Sequence, residues 1–208
     1  PDTGLVGVRL EWPDGLAQES CFHFHTPISE LTNAACLGLL TKLFDRFTVP
    51  RPVVETTAFY DWVSFACVLI RKEVFEDIGL LDDKFFMYFE DVEFCYRAKK
   101  SGWKVMYQPA SRVVHLRGGS SPLKTQAKLR KRLPRYFYES RARYFYLLFG
   151  RTGLLAANIA WSIGACISEG RALISKNYMG HVAKKQWRDI WINFKSPTAP
   201  YIHPKDYD

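Results

Sequence analysis

Nine residues in a row, Trp62 to Ile70 (WVSFACVLI), are almost wholly apolar. Such a run suits a strand covered on both faces, as in parallel or mixed α/β sheets. The flanks agree. Leu5 to Leu10 has a β-like pattern and is followed by a turn at Pro13-Asp14-Gly15. Residues 26–47 repeat Leu31, Ala35, Leu39 and Leu43 at i+4, which predicts a helix. Thr48 to Thr57 reads as a loop. Arg71 to Ile78 and Glu90 to Ser101 read as helices, each followed by a glycine (Gly79, Gly102) placed to cap it. Trp103 to Tyr107 and Arg112 to His115 are short strand candidates, and Pro134 to Phe149 is a further helix. Strands alternating with helices predict the α/β class, and 208 residues suffice for one substantial core.

Charge is concentrated. The chain carries a net +8, and residues 122–151 hold nine basic groups against one acid, Glu139, which is the whole excess. A basic stripe beside aromatics predicts a surface for phosphates or anionic lipid, with a solvated helix face as the plain alternative. No recognised nucleic-acid motif accompanies it, so a nucleic-acid partner is not expected. Between Arg151 and Glu169 lie 17 uncharged residues, short of the ~20 a spanning helix needs. A helix lying in the membrane interface, or one packed on the core, fits better. The five cysteines form no CxxC pair, which argues against a zinc site or a disulfide framework and for a reducing compartment.

Chemistry is concentrated between Phe85 and Ser121 (FFMYFEDVEFCYRAKKSGWKVMYQPASRVVHLRGGSS). Glu90-Asp91 stands in an aromatic neighbourhood at a predicted helix start. Acids there are favoured by the helix dipole alone. A carboxylate in that place can also take a proton from an attacking hydroxyl, and the helix N-terminus would keep Asp91 ionised near neutral pH. His115 ends a β-like run. Its imidazole could bind a divalent metal or contact a diphosphate, although magnesium and manganese would need oxygen ligands as well. Gly118 and Gly119, followed by Ser120-Ser121, could offer main-chain N–H groups to a phosphate, or mark a plain turn.

Taken together, DWVSFACVLIRKEVFEDIGLLDDKFFMYFEDVEFCYRAKKSGWKVMYQPASRVVHLRGGSS resembles the C-terminal half of family 2 glycosyltransferases, most of all the rhamnosyltransferase-type members that build bacterial surface polysaccharides. The resemblance runs from about Gly7 to Phe149. It implies the C-terminal part of a GT-A (Rossmann-like) domain with a mixed sheet, followed by amphipathic helices. It implies an inverting transfer of a sugar from a nucleotide-diphosphate donor to a lipid-linked or polysaccharide acceptor. It assigns the general base to Asp91, with Glu90 beside it, and a metal and diphosphate role to His115. Gly118 and Gly119 fall in the phosphate-side motif. Asp61 and Trp62 fall on the acceptor side, and the expected cofactor is Mg2+ or Mn2+.

Two departures from the family pattern stand out. The nucleotide-binding half, with its DxD-type metal motif, is not found within these 208 residues; the lone DxD spacing is Asp206-Tyr207-Asp208, on the wrong side of the FED segment. Phe65 stands where the family usually has glycine. The expected organisation is an acceptor-side half over residues 1–122 and a basic, aromatic-rich helical region over 123–208. The expected location is cytoplasmic, peripheral at the inner face of the cell membrane. The rival expectation is a truncated or degenerate, non-catalytic module that binds membrane or a protein partner.

Overall fold

A nine-residue strand, β1 (Thr3–Glu11), organises the first of two units in the computed structural model, which describes residues 2–116, 121–175 and 177–207. That unit is built from Pro1–Phe24, Val49–Asp83 and Phe89–Arg117. Its strands after β1 are β2 (Cys21–Phe22), β3 (Ala58–Tyr60), β4 (Trp62–Val63), β5 (Val68–Ile70) and β6 (Lys104–Val114). The main sheet has the order β3-β6-β1-β5. Its β1–β6 pair is parallel, and its β1–β5 and β3–β6 pairs are antiparallel. A separate antiparallel ribbon joins β2 to β4. The mixed sheet fits part of a GT-A glycosyltransferase domain. β1 comes close to the ribbon at Gly7, where a Cβ would lie 2.7 Å from that of Val63. Leu5, Val63, Val74, Phe94, Cys95, Val105 and Tyr107 are buried there.

Three sequence expectations change in the structure. The apolar run Trp62–Ile70 is two strands, because β4 pairs with β2 while β5 pairs with β1. It is not covered on both faces, since Leu69 is 72% exposed. An apolar run alone cannot reveal that its two ends join different sheets. The strand candidates Trp103–Tyr107 and Arg112–His115 are one strand instead. Val8 pairs with Gln108 and Arg9 with Arg112, so Pro109 to Ser111 bulge out of the parallel ladder. The helix expected over 26–47 breaks at Cys36, whose φ of 45° is left-handed. It becomes α1 (Pro27–Ala35), α2 (Gly38–Leu43) and a 3-10 turn. Thr26 starts α1 by accepting the N–H of Ser29 at 3.1 Å, while its own N–H donates to the Ser29 hydroxyl at 2.8 Å.

Two helices complete the first unit. α3 (Lys72–Ile78) and α4 (Glu90–Lys100) are followed, as expected, by glycines of positive φ, Gly79 (78°) and Gly102 (92°).

The second unit, His25–Thr48, Lys84–Tyr88 and Gly118–Asp208, is helical. It adds α5 (Leu123–Lys128), α6 (Arg135–Ile174) and α7 (Gln186–Asp189) to α1 and α2. α6 is bent at Gly150, whose φ of 68° and ψ of −172° suit glycine alone. α1 lies close along α6 at Gly164, where a Cβ would sit 2.8 Å from that of Ala34 and would press on the Leu31 carbonyl. Tyr138, Trp161, Ala165, Ala183 and Ile190 form the core with Ala34.

The basic run 122–151 divides in the structure: Lys124, Lys128, Arg130, Lys131, Arg132 and Arg151 are exposed, and part of the run is engaged inside this unit. Arg141 is buried and donates to Glu30 at 2.7 and 2.9 Å and to Asn158 at 2.7 Å. Arg143 is buried too, Arg132 forks onto Asp189 at 2.6 and 3.0 Å, and Arg135 holds Glu139 at 2.7 Å. These four arginines brace helices and loops, and the exposed members of the run leave a basic surface beside them. No helix among the described residues is long and apolar enough to cross a membrane.

Candidate active site

The chain reaches α4 through two consecutive aromatic residues of positive φ, Tyr88 (69°) and Phe89 (68°). Left-handed backbone is uncommon for bulky side chains, and it persists where the surroundings enforce it. Phe89 is the N-cap and makes no side-chain capping bond, so Glu90 and Asp91 are the first helical residues rather than caps. The third acid of that turn, Glu93, has a structural role. It holds Arg97 at 2.7 Å, and Arg97 donates in turn to the carbonyls of Ile78 and Leu80.

Asp91 accepts the main-chain N–H of Val92 at 2.9 Å, and the Phe65 N–H also favours its charged form. Burial works the other way, and so does the neighbouring Glu90; together they push the Asp91 carboxyl up to about 7. Burial raises Glu90 as well. This differs from the expectation that the helix N-terminus keeps Asp91 ionised near neutral pH: desolvation outweighs the dipole and the N–H donors.

One side of α4 keeps step with the segment Asp61 to Phe65. The Lys99 ammonium donates to Asp61 at 2.5 Å. Cys95 meets the Val63 main chain, and Asp91 meets that of Phe65. The spacing follows from geometry. Four helical residues advance ~6 Å, and two extended residues advance ~6.6 Å. Phe65, the departure from the family glycine, therefore serves Asp91 through its backbone, while its ring stands edge-on to the buried Phe94 at 5.9 Å.

Asp61 gathers three partners: Lys99, His23 Nδ1 at 3.0 Å and the Phe24 N–H at 3.1 Å. Burial alone would raise its pKa, but the Lys99 hydrogen bond and charge, with Phe24 and His23, hold it below the ordinary carboxylate value. Trp62 stacks on Phe22 at 4.1 Å and donates its indole N–H to the His23 carbonyl at 2.9 Å. The structure thus lays Asp61 and Asp91 along the same side of α4 but two turns apart, ~12 Å, with Asp61 at Lys99 and Asp91 at Phe65, while Trp62 packs on Phe22 and His23. Sequence reasoning missed Lys99, placed there only as a favourable last-turn charge, and His23. The 91-95-99 spacing on a predicted helix was the available signal.

His115 follows β6. Its N–H donates to the Glu11 carbonyl at 2.9 Å, and its own carbonyl accepts the Gln18 amide at 2.8 Å, so the end of β1 and the segment after it fix its backbone. Gly118 and Gly119 lie outside the described residues. Among the described residues, no three His, Cys, Asp or Glu side chains gather to hold a metal ion.

Residues 35–135 match the family described as "Glycosyltransferase like family 2". Over 102 residues the chain is 28% identical to the N-acetylglucosaminyl-diphospho-decaprenol L-rhamnosyltransferase of Mycobacterium tuberculosis, covering 49% of this chain and 31% of that protein. It is 39% identical over 75 residues to the low-salt glycan biosynthesis hexosyltransferase Agl10 of Haloferax volcanii, covering 36% and 22%. It is 28% identical over 67 residues to the rhamnosyltransferase WbbL of Escherichia coli, covering 32% and 25%. In each case the matched stretch spans about a third or less of the relative's length. No solved structure matches. Over residues 35–135 the chain is therefore similar to family 2 glycosyltransferases, the matched relatives being rhamnosyl- and hexosyltransferases, and its α/β fold fits part of a GT-A domain.

Proposed function

We propose that this chain is the acceptor-side part of a glycosyltransferase that moves a sugar from a nucleotide-diphosphate donor to a lipid-linked or polysaccharide acceptor, with inversion and with Asp91 as general base. The observation that carries the reading is the Asp91 carboxyl. It is held at the start of α4 by the Val92 and Phe65 main chain, with its pKa pushed up to about 7 by burial and Glu90. A base with that pKa is matched to proton transfer near neutral pH. The acceptor hydroxyl oxygen bonds to the anomeric carbon, the bond from that carbon to the diphosphate oxygen breaks, and the hydroxyl proton passes to Asp91. Attack opposite the leaving group inverts the anomeric centre. Burial, with the neighbouring Glu90 adding to it, raises the basicity of Asp91. Asp61 and Trp62, fixed by Lys99 and His23, belong to the acceptor side of the site.

Mg2+ or Mn2+ dependence and a metal-side role for His115 remain part of the resemblance. Among the described residues no ligand set of three His, Cys, Asp or Glu side chains gathers, and the proton transfer rests on Asp91. Gly118 and Gly119 stay assigned to phosphate contact on the same ground. Proton NMR of the product formed with a nucleotide-sugar donor tests the stereochemistry. An anomeric coupling opposite to the donor's is expected, and retention would refute the single-displacement reading.

Membrane association belongs to the same proposal, at the inner face of the cell membrane. It is supported by the exposed basic residues Lys124, Lys128, Arg130 and Lys131 and by α6, where Leu155, Ile159 and Ile163, spaced by four, are 39%, 47% and 51% exposed, and Leu173 and Ile174 are almost fully so. All five cysteines are free, in keeping with a reducing compartment. Co-sedimentation with anionic vesicles is expected, and loss of it in Ile159→Glu/Ile163→Glu. No sedimentation with any vesicle would refute this part.

A further inference from the structure

The helical second unit contains a cavity of about 700 Å3, within the ~300–1,000 Å3 typical of small-molecule sites. Its apolar wall is aromatic: Phe86, Tyr136 and Tyr207. The Phe86 ring is itself fixed between Tyr136 and Tyr201, each at 5.2 Å. Its polar wall includes Gln126, Arg188 and Asp206. Among the described residues, no donor meets the buried side-chain oxygen of Gln126. A buried acceptor without a partner at a cavity wall is a place for a ligand hydroxyl.

Charge decides which ligand fits. Three arginines line the cavity, Arg132, Arg135 and Arg188. Asp189 already holds Arg132 and lies 3.6 Å from Arg188, and Glu139 holds Arg135. With Asp206 on the wall, three carboxylates balance three guanidiniums. A diphosphate would meet little net positive charge there. A purely apolar ligand would leave Gln126, Arg188 and Asp206 facing hydrocarbon, at a desolvation cost. A sugar ring offers C–H faces to aromatic rings and hydroxyls that both donate and accept.

We propose that this cavity binds a neutral saccharide. Its ring packs on the Phe86, Tyr136 and Tyr207 wall, and its hydroxyls meet Gln126, Arg188 and Asp206. The inference does not depend on Asp91 acting as a base. If the transferase reading holds, the saccharide is a glycan of the acceptor.

The test is saturation-transfer NMR on the full chain with methyl α-L-rhamnopyranoside and methyl N-acetyl-β-D-glucosaminide. Inorganic pyrophosphate serves as competitor, and a nucleotide sugar as a separate arm. Saturation transfer to at least one glycoside is expected, unaffected by pyrophosphate. Dissociation constants should be about three- to tenfold higher in both Gln126→Leu and Arg188→Ala, the loss expected for one hydrogen bond. Circular dichroism should show both variants folded; were either unfolded, Gln126→Asn or Arg188→Gln takes its place. Saturation transfer confined to the nucleotide sugar would assign the cavity to a donor and overturn the proposal. So would the absence of binding by either glycoside, displacement by pyrophosphate, or affinities unchanged in both folded variants. Loss of transferase activity in Asp91→Asn with glycoside binding intact would separate the two readings.

Discussion

Asp91→Asn should make the protein more stable at pH 8, and this follows from the same feature that suits Asp91 to catalysis. Burial and Glu90 raise its pKa from 3.8 to about 7. Below pH ~4 the carboxyl is protonated in both folded and unfolded chains, and it carries no penalty. Between pH ~4 and ~7 the unfolded chain releases this proton while the folded one keeps it, so stability falls as pH rises. Above ~7 the full penalty is present. A shift of ~3 units at ~1.4 kcal/mol each sets a ceiling of ~4 kcal/mol. Asp91 is only partly buried, and solvent screening brings the expectation to ~1–3 kcal/mol. Asparagine retains an oxygen to accept the Val92 and Phe65 N–H groups, so the change removes charge and leaves the bonds. Urea unfolding of wild type and variant at pH 4 and pH 8 measures the effect. The variant should gain ~1–3 kcal/mol at pH 8, several degrees in Tm for a chain of this size, and almost nothing at pH 4. A variant no more stable than wild type at pH 8 would refute the burial argument.

Three further outcomes follow from the packing. Glu30→Ala strands the buried Arg141 guanidinium and should cost ~3–5 kcal/mol, read by urea unfolding. Gly164→Ala drives a methyl into α1 at Leu31 and Ala34 and should cost ~1–3 kcal/mol, read as a lowered Tm. Asp61→Asn should cost ~0.5–2 kcal/mol at pH 7. Because the Asp61 pKa is held below its ordinary value, its contribution is complete above pH ~4 and fades as pH falls through the lowered pKa. Melting curves of Asp61→Asn and wild type should therefore converge toward pH 2, and a gap that persists there would count against the Lys99 pairing.

Legibility in the sequence depended on how local each cause was. β1, α3 and α4 could be read because one periodicity dominates each, and Gly79 and Gly102 mark where the helices stop. The ends of WVSFACVLI could not be separated, because strand partners are chosen by residues far away in sequence: Cys21 and Phe22 for one end, Leu5 to Gly7 for the other. The basic run was visible as composition, but composition does not say that Arg141 faces Glu30, 111 residues away. Asp91 stood out through its place in a familiar motif. Its raised pKa did not, since it arises from burial in the folded unit beside the Phe65 main chain. Asp61 was legible as a motif residue, whereas its pairing with Lys99, 38 residues on, was not.

Whether Asp91 is the general base is tested most directly by the pH–rate profile of sugar transfer by the whole protein that carries this chain. Wild type and Asp91→Asn would be compared with a nucleotide-sugar donor, in the presence of Mg2+ or Mn2+. With Asp91 as base, the wild-type kcat/KM rises through about pH 7, following the raised carboxyl pKa, and the folded variant is slowed by ~10²–10⁴-fold with that rise abolished. Turnover in Asp91→Asn equal to wild type, with the same pH dependence, would contradict that assignment and return Asp91 to a structural role at the start of α4.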